Sequence, residues 1–128
     1  MPTHETSTRN AIADVVVDRV DVGSTNAAGK IRVYTANHIS LLAEIDMANP
    51  AFGPAVVGIA PALGLPLADS LADAPGSAAE FDAIDRDEDV VFSGTVGIDS
   101  SFDMTVPNTE VSLDDIIKII SLNYTAPP

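Results

Sequence analysis

The sequence predicts a mainly β domain, an antiparallel β-sandwich or small barrel of about seven strands with one N-terminal α-helix. Three observations point to it. Beyond residue 29 apolar side chains recur with period two, turn formers separate the runs, and no second stretch of helical spacing lies between them. The chain has 128 residues, 46% of them apolar, which supplies one hydrophobic core and one ordinary domain. That domain is placed at residues 8–126, behind a flexible segment at 1–7 and ahead of a short tail at 127–128.

The helix is expected over 8–21. Thr6, Ser7 and Thr8 offer N-cap hydroxyls and Gly23 supplies a stop, while Ile12, Val16 and Val20, with Val15 beside them, form an apolar stripe. Arg9, Asp14, Asp18 and Asp21 lie mostly off that stripe. The consecutive β-branched residues Val15 to Val17 pull toward strand instead. After a loop at 23–29, residues 30–35 alternate Ile31, Val33 and Thr35 against Arg32 and Tyr34. Residues 41–47 set Leu41, Ala43, Ile45 and Met47 on one face and Leu42, Glu44 and Asp46 on the other, the pattern of a half-buried strand.

Residues 49–54 are dense in turn formers around one aromatic, so they predict a tight loop whose Phe52 ring packs back on the core. A short apolar strand is expected at 55–60. Residues 61–77 carry Pro61, Gly64, Pro66, Pro75 and Gly76 among Leu63, Leu65, Leu67 and Leu71, which reads as a long connection with an apolar side. Strands at 78–84 and 90–96 flank Asp85-Arg86-Asp87-Glu88-Asp89 and predict a hairpin with an acidic turn. Strands at 102–106 and 115–125 complete the set, the last alternating Ile120, Leu122 and Tyr124 against Ser121, Asn123 and Thr125.

With aromatics at 5% and no Trp, the core must be Val, Ile, Leu and Ala with Phe52, Phe81, Phe92, Phe102, Tyr34 and Tyr124 as its few large fillers. No cysteine is present, so disulfides, thiolate metal sites and cysteine nucleophiles are excluded together. The first ten residues lack the apolar stretch of a signal peptide and no run is long enough to span a membrane, so a soluble protein made in the cytoplasm is expected. The net charge is −13, from 19 acidic and 6 scattered basic residues, which disfavours nucleic acid and anionic membranes as partners. Of the acids 14 are Asp and only 2 of the bases are Lys, a bias that matches proteins of salt-loving organisms.

Chemistry-bearing constellations are few. His4 sits near the N-terminus and His38 in a short loop, neither with a nucleophile at a recognisable spacing, and GxSxG, HExxH and P-loop motifs are absent. Asp85, Asp87 and Asp89 occupy positions 1, 3 and 5 of a calcium-loop pattern and are the candidate metal ligands. The pattern then breaks, with Val90 where the loop needs Gly and Val96 where it needs Glu, so no cofactor is expected and calcium is the one cation the spacing suggests. The remaining signals concern assembly: Ile12, Val16, Val20, Phe52, Leu63, Leu65, Leu67 and Leu71 are the candidate interface residues, against the alternative that they complete the domain's own core.

The segments 8–14 with Val17 and Asp18, 29–35, 41–43, 49–53 and 91–97, with the β-branched C-terminal strand, resemble a family of small structural proteins of tailed bacteriophages and their archaeal relatives. Residues 61–75 and the glycine-free acidic turn depart from that pattern. The resemblance implies a non-enzymatic virion component made in the host cytoplasm, a capsid decoration or minor capsid protein bound to the major capsid lattice; a homo-oligomer, such as a trimer, is its expected form. A tail, neck or fibre part that binds a host surface is the alternative within the virion. A hydrolase using an aspartate pair, with Asp87 or Asp103 as candidates, is the alternative outside it.

Overall fold

The computed structural model describes residues 2–69 and 72–128. Helix α1, Thr6–Asp18, tightens into a 3₁₀ turn at Arg19–Asp21, so its end falls where the sequence placed it while its start comes two residues earlier. Glu5 is the N-cap and makes no side-chain cap, so the hydroxyls of residues 6–8 do not serve as expected. The buried face is Ala13, Val17 and Val20; Ile12 and Val16 are half-buried and Val15 is exposed. The predicted stripe is therefore rotated by one residue, because the small Ala13 is what fits closest to the sheet.

Off that stripe the polar residues of the helix hold the next loop. Asn10 Oδ1 accepts from the Gly58 N–H at 2.7 Å and Asp14 Oδ1 from the Ala55 N–H at 2.8 Å. In the 3₁₀ turn, Asp21 Oδ1 accepts from the Ala51 N–H at 3.0 Å. Burial pushes the Asp21 carboxyl up, against that hydrogen bond. Three side chains thus satisfy donors that an irregular segment could not pair with itself.

The strands are β1 (Lys30–Tyr34), β2 (Leu41–Asp46), β3 (Ile59–Pro61), β4 (Leu67–Asp69), β5 (Gly76–Ser77), β6 (Glu80–Ile84), β7 (Val90–Gly97), β8 (Met104–Thr105), β9 (Glu110–Val111), β10 (Ile117–Ile119) and β11 (Ser121–Thr125). Seven form one sheet in the order β2-β1-β6-β7-β8-β11-β3, and β10-β4 and β5-β9 form two small sheets. The fold is mainly β with one N-terminal helix, as predicted; the main sheet does not close, so the sandwich-like alternative holds over the barrel. Helix α1 packs across the β3, β11 and β7 side of it.

Strands β6 and β7 form the predicted hairpin, with β1 on the far side of β6 and β2 beyond. Phe81 in β6 is fully buried and meets Phe92 of β7 edge-on at 6.0 Å, and Phe92 meets Phe52 at 6.0 Å and Tyr124 at 5.0 Å. These four rings, with Ile31, Val33, Leu42, Ile45, Met104 and Leu122, fill the interior. On the outer face of the β1–β2 pair, Glu44 accepts from Arg32 at 2.8 Å and from Lys30 at 3.0 Å, and Arg32 also reaches Glu88.

Several sequence expectations are corrected. The alternation in 41–47 breaks at a bulge opposite Val33 and Tyr34, which turns Leu42 inward beside Ala43. The expected strand at 55–60 is a tight hairpin, with Val56 bridged to Ile59 and both Val57 (φ 52°) and Gly58 (φ 73°) in the left-handed region. The connection 61–77 is not irregular throughout, since β4 pairs with β10 and β5 with β9. Strand β8 runs parallel to β7, reached through residues 98–103, so the sheet is not wholly antiparallel. The 115–125 strand is broken at Ile120, which shifts the buried phase from Ile117 and Ile119 to Leu122 and leaves Ile120 exposed. Phe102, expected in the core, is 41% exposed.

Candidate functional site

The residues proposed from sequence as an interface divide in the structure. Val20 and Phe52 are buried, Ile12, Leu65 and Leu67 pack partly buried against the core, Val16 is half-buried, and Leu63 is exposed. Leu71 lies outside the described residues. They do not come together as one outward face.

The acidic turn is a backbone device. Asp85 is buried, and its Oδ1 accepts from the N–H groups of Asp87 at 2.9 Å and Asp89 at 3.0 Å. Asp87 points the other way, where its Oδ1 accepts from the N–H groups of Ser24 and Thr25, both at 3.0 Å, and these hold its carboxyl below the usual range. The first carboxylate folds the turn and the second pins the 24–25 loop to it. Among the described residues no group of three or more His, Asp or Glu is placed to hold a metal ion.

A second polar cluster lies beside β1 and β6. Asp82 Oδ1 accepts from the Ser93 hydroxyl at 2.6 Å and meets His38 Nε2 at 2.8 Å, while Glu80 Oε1 lies 3.5 Å from His38 Nδ1. The Tyr34 ring stacks on the imidazole at 4.5 Å, and His38 and Asn37 both adopt positive φ to bring it there. In a serine nucleophile the imidazole stands between hydroxyl and carboxylate. Here the carboxylate stands between the other two, so Ser93 hands no proton to His38. The hydrogen bond to Asp82, aided by Glu80, raises the imidazole pKa.

What the structure exposes is apolar surface at places the sequence did not flag. At the end of β7 a groove of about 320 Å³ is lined by Ala78, Val96, Gly97, Ile98, Phe102 and Thr109, among others. Ile98 is 64% exposed, and the Phe102 ring lies over Gly97, where a Cβ would sit 1.9 Å from it. Only glycine lets the ring settle there. Nearby in sequence Leu113, Ile116 and Ile120 are exposed as well, and Ile116 lines a neighbouring hollow with Pro107 and Val111. A separate apolar tip is the Val56-Val57-Gly58-Ile59 turn, whose valines are both exposed. One signal for the groove was present in the sequence: Ile98 and Phe102 bracket the loop formers Asp99, Ser100 and Ser101, directly after a glycine.

Comparison of the chain with family models, with curated proteins and with solved structures gave no match.

Proposed function

We propose that this chain is a non-enzymatic structural component of a virus particle, a capsid decoration or minor capsid protein that docks on the major capsid lattice and stabilises it. The observation that carries the reading is the exposed apolar surface held on ordered backbone, above all Ile98 and Phe102 at the β7 groove. Large apolar side chains gathered at one place on a folded surface mark a contact site for another protein. The resemblance of the quoted sequence segments to structural proteins of tailed viruses supports the major capsid protein as that partner.

Burying such a patch contributes about 25 cal/mol per Å² of apolar surface before the costs of association. One small contact is weak. Repetition over a lattice, with several copies of the domain joined as an oligomer, converts weak contacts into durable attachment. The large negative charge keeps unattached copies apart and soluble until they meet the shell.

The experiment is a protein count in purified particles of the encoding virus, paired with heating of particles that lack the chain. Hundreds of copies per particle and a lower temperature of genome release in the deficient particles are expected. A few copies, or deficient particles as heat-resistant as complete ones, would overturn the reading.

A further inference from the structure

We propose that the groove at Ile98 and Phe102 receives a basic segment of the partner protein, an apolar anchor flanked by Lys or Arg. The inference rests on the reading of the chain as a docking protein and adds the chemistry of what it docks to. The groove itself is uncharged: Ala78 and Val96 are buried at its base, Phe102 covers Gly97, and Thr95 and Thr109 supply its only side-chain polar atoms. Charge begins one residue away on each contributing segment, with Glu80 after Ala79, Asp99 after Ile98, Asp103 after Phe102 and Glu110 after Thr109.

The hydrogen bonds fix two of these acids near the groove. Asp103 Oδ2 accepts from the N–H of Thr95 at 3.0 Å and from its hydroxyl at 3.2 Å, and Thr95 is a lining residue. Glu110 Oε1 accepts from the Ser77 hydroxyl at 3.1 Å, beside Ala78. Glu80 faces His38. No Lys, Arg or His occurs from residue 87 to residue 117, a stretch that carries eight acids. Among the described residues Glu80 is paired with His38, the other ion pairs lie on Lys30, Arg32 and the same imidazole, and Lys118 shares a hollow with Glu110, which leaves Asp99 and Asp103 as the rim acids that carry the sign of the groove.

An apolar floor edged by carboxylates, of which Asp99 and Asp103 stand in no ion pair among the described residues, selects its occupant by sign. A second copy of this chain pressed on the same face would set rim against rim, so the groove is not where copies join. Its volume is at the lower end of small-molecule pockets, roughly 300–1,000 Å³, which suits an anchoring side chain of an extended segment. In molar salt, where the screening length is about 3 Å, only basic groups in direct contact with the carboxylates still sense them.

The test is a backbone-amide NMR titration of the full chain with three blocked heptapeptides: Lys-Lys-Leu-Phe-Leu-Lys-Lys, its Glu-flanked counterpart, and the Lys-flanked peptide with Ser-Gly-Ser at its centre. At about 50 mM salt the first peptide is expected to shift Ala79, Val96, Ile98, Phe102 and Thr109, and to bind roughly tenfold more tightly than either control. Ile98→Asp should abolish those shifts while the rest of the spectrum stays in place, and Asp99→Asn should weaken the Lys-flanked peptide severalfold. Equal binding of the Glu-flanked peptide, shifts centred elsewhere, or none up to millimolar peptide would overturn the proposal. Failure here with hundreds of copies in the particle removes only the partner chemistry; binding here with no copies in the particle removes the virion reading and leaves the groove's preference standing.

Discussion

The strands β1, β2 and β6 and the outlying segments 56–63 and 98–120 use apolar residues in opposite ways. In the three strands no large apolar side chain is exposed, and their outward positions carry the cross-strand pairs of Lys30, Arg32 and Glu44. Among the described residues the outlying segments hold nine of the thirteen exposed large hydrophobic residues, on strands of only two or three residues and on turns. A sheet that pairs along its length can satisfy its backbone and bury its apolar face by itself. Short strands fastened by single anchors leave apolar groups over, and these are available to another chain.

The largest break of the contrast comes from the framework. Phe81→Ala removes a fully buried ring that touches Phe92, and should cost about 3–5 kcal/mol of stability in denaturant unfolding. A cost below about 1 kcal/mol would mean the strands are not the source of stability. Asp85→Ala strips the acceptor from two backbone N–H groups of the acidic turn and should cost about 1–3 kcal/mol, with or without added calcium. Stabilisation of the wild-type chain by calcium, lost in this variant, would show that the turn is a metal site after all.

In the outlying half the sign reverses. Val57 is 58% exposed and holds φ 52°, a conformation that β-branched residues avoid and asparagine tolerates. Val57→Asn should therefore stabilise by about 1 kcal/mol, since it creates the Asn-Gly pair that such a turn favours. Loss of stability instead would mean that Val57 is held by packing and not exposed for use.

The smallest effect is on pH. Because Asp82 raises the His38 pKa, the folded chain holds that proton more firmly than the unfolded one. The contact then stabilises fully below about pH 6.5, the ordinary value, and fades as pH rises through the raised one. The melting temperature of His38→Gln should fall short of wild type by more at pH 5.5 than at pH 8.5, to be read by calorimetry at about those two values. An equal gap at both would place the imidazole's role in packing on Tyr34 alone.

The framework was legible in the sequence because its signals are local. Alternation at 30–35 names a strand, and the runs 78–84 and 90–96 with the charge-dense turn between them name a hairpin, without reference to anything distant. The rest depended on partners far along the chain. Leu67 and Gly76 pair with strands near residues 118 and 111, so no local pattern distinguishes β4 and β5 from loop. The helix face was read from the bulkier Ile12 and Val16, whereas close approach to the sheet selects Ala13 and Val17. The groove is not legible from local pattern because exposure is a property of the surroundings: Phe102 has the chemistry of a core residue, and Gly97 is what seats it on the surface.

Co-sedimentation with virus capsids stripped of this protein tests most directly the proposal that the leftover apolar surface attaches the chain to a capsid. Ile98→Asp should unfold within about 0.5 kcal/mol of wild type, as a change at an exposed position does, yet be retained on the capsids at roughly a tenth of the wild-type level or less. Retention equal to wild type by a folded Ile98→Asp chain would contradict the account.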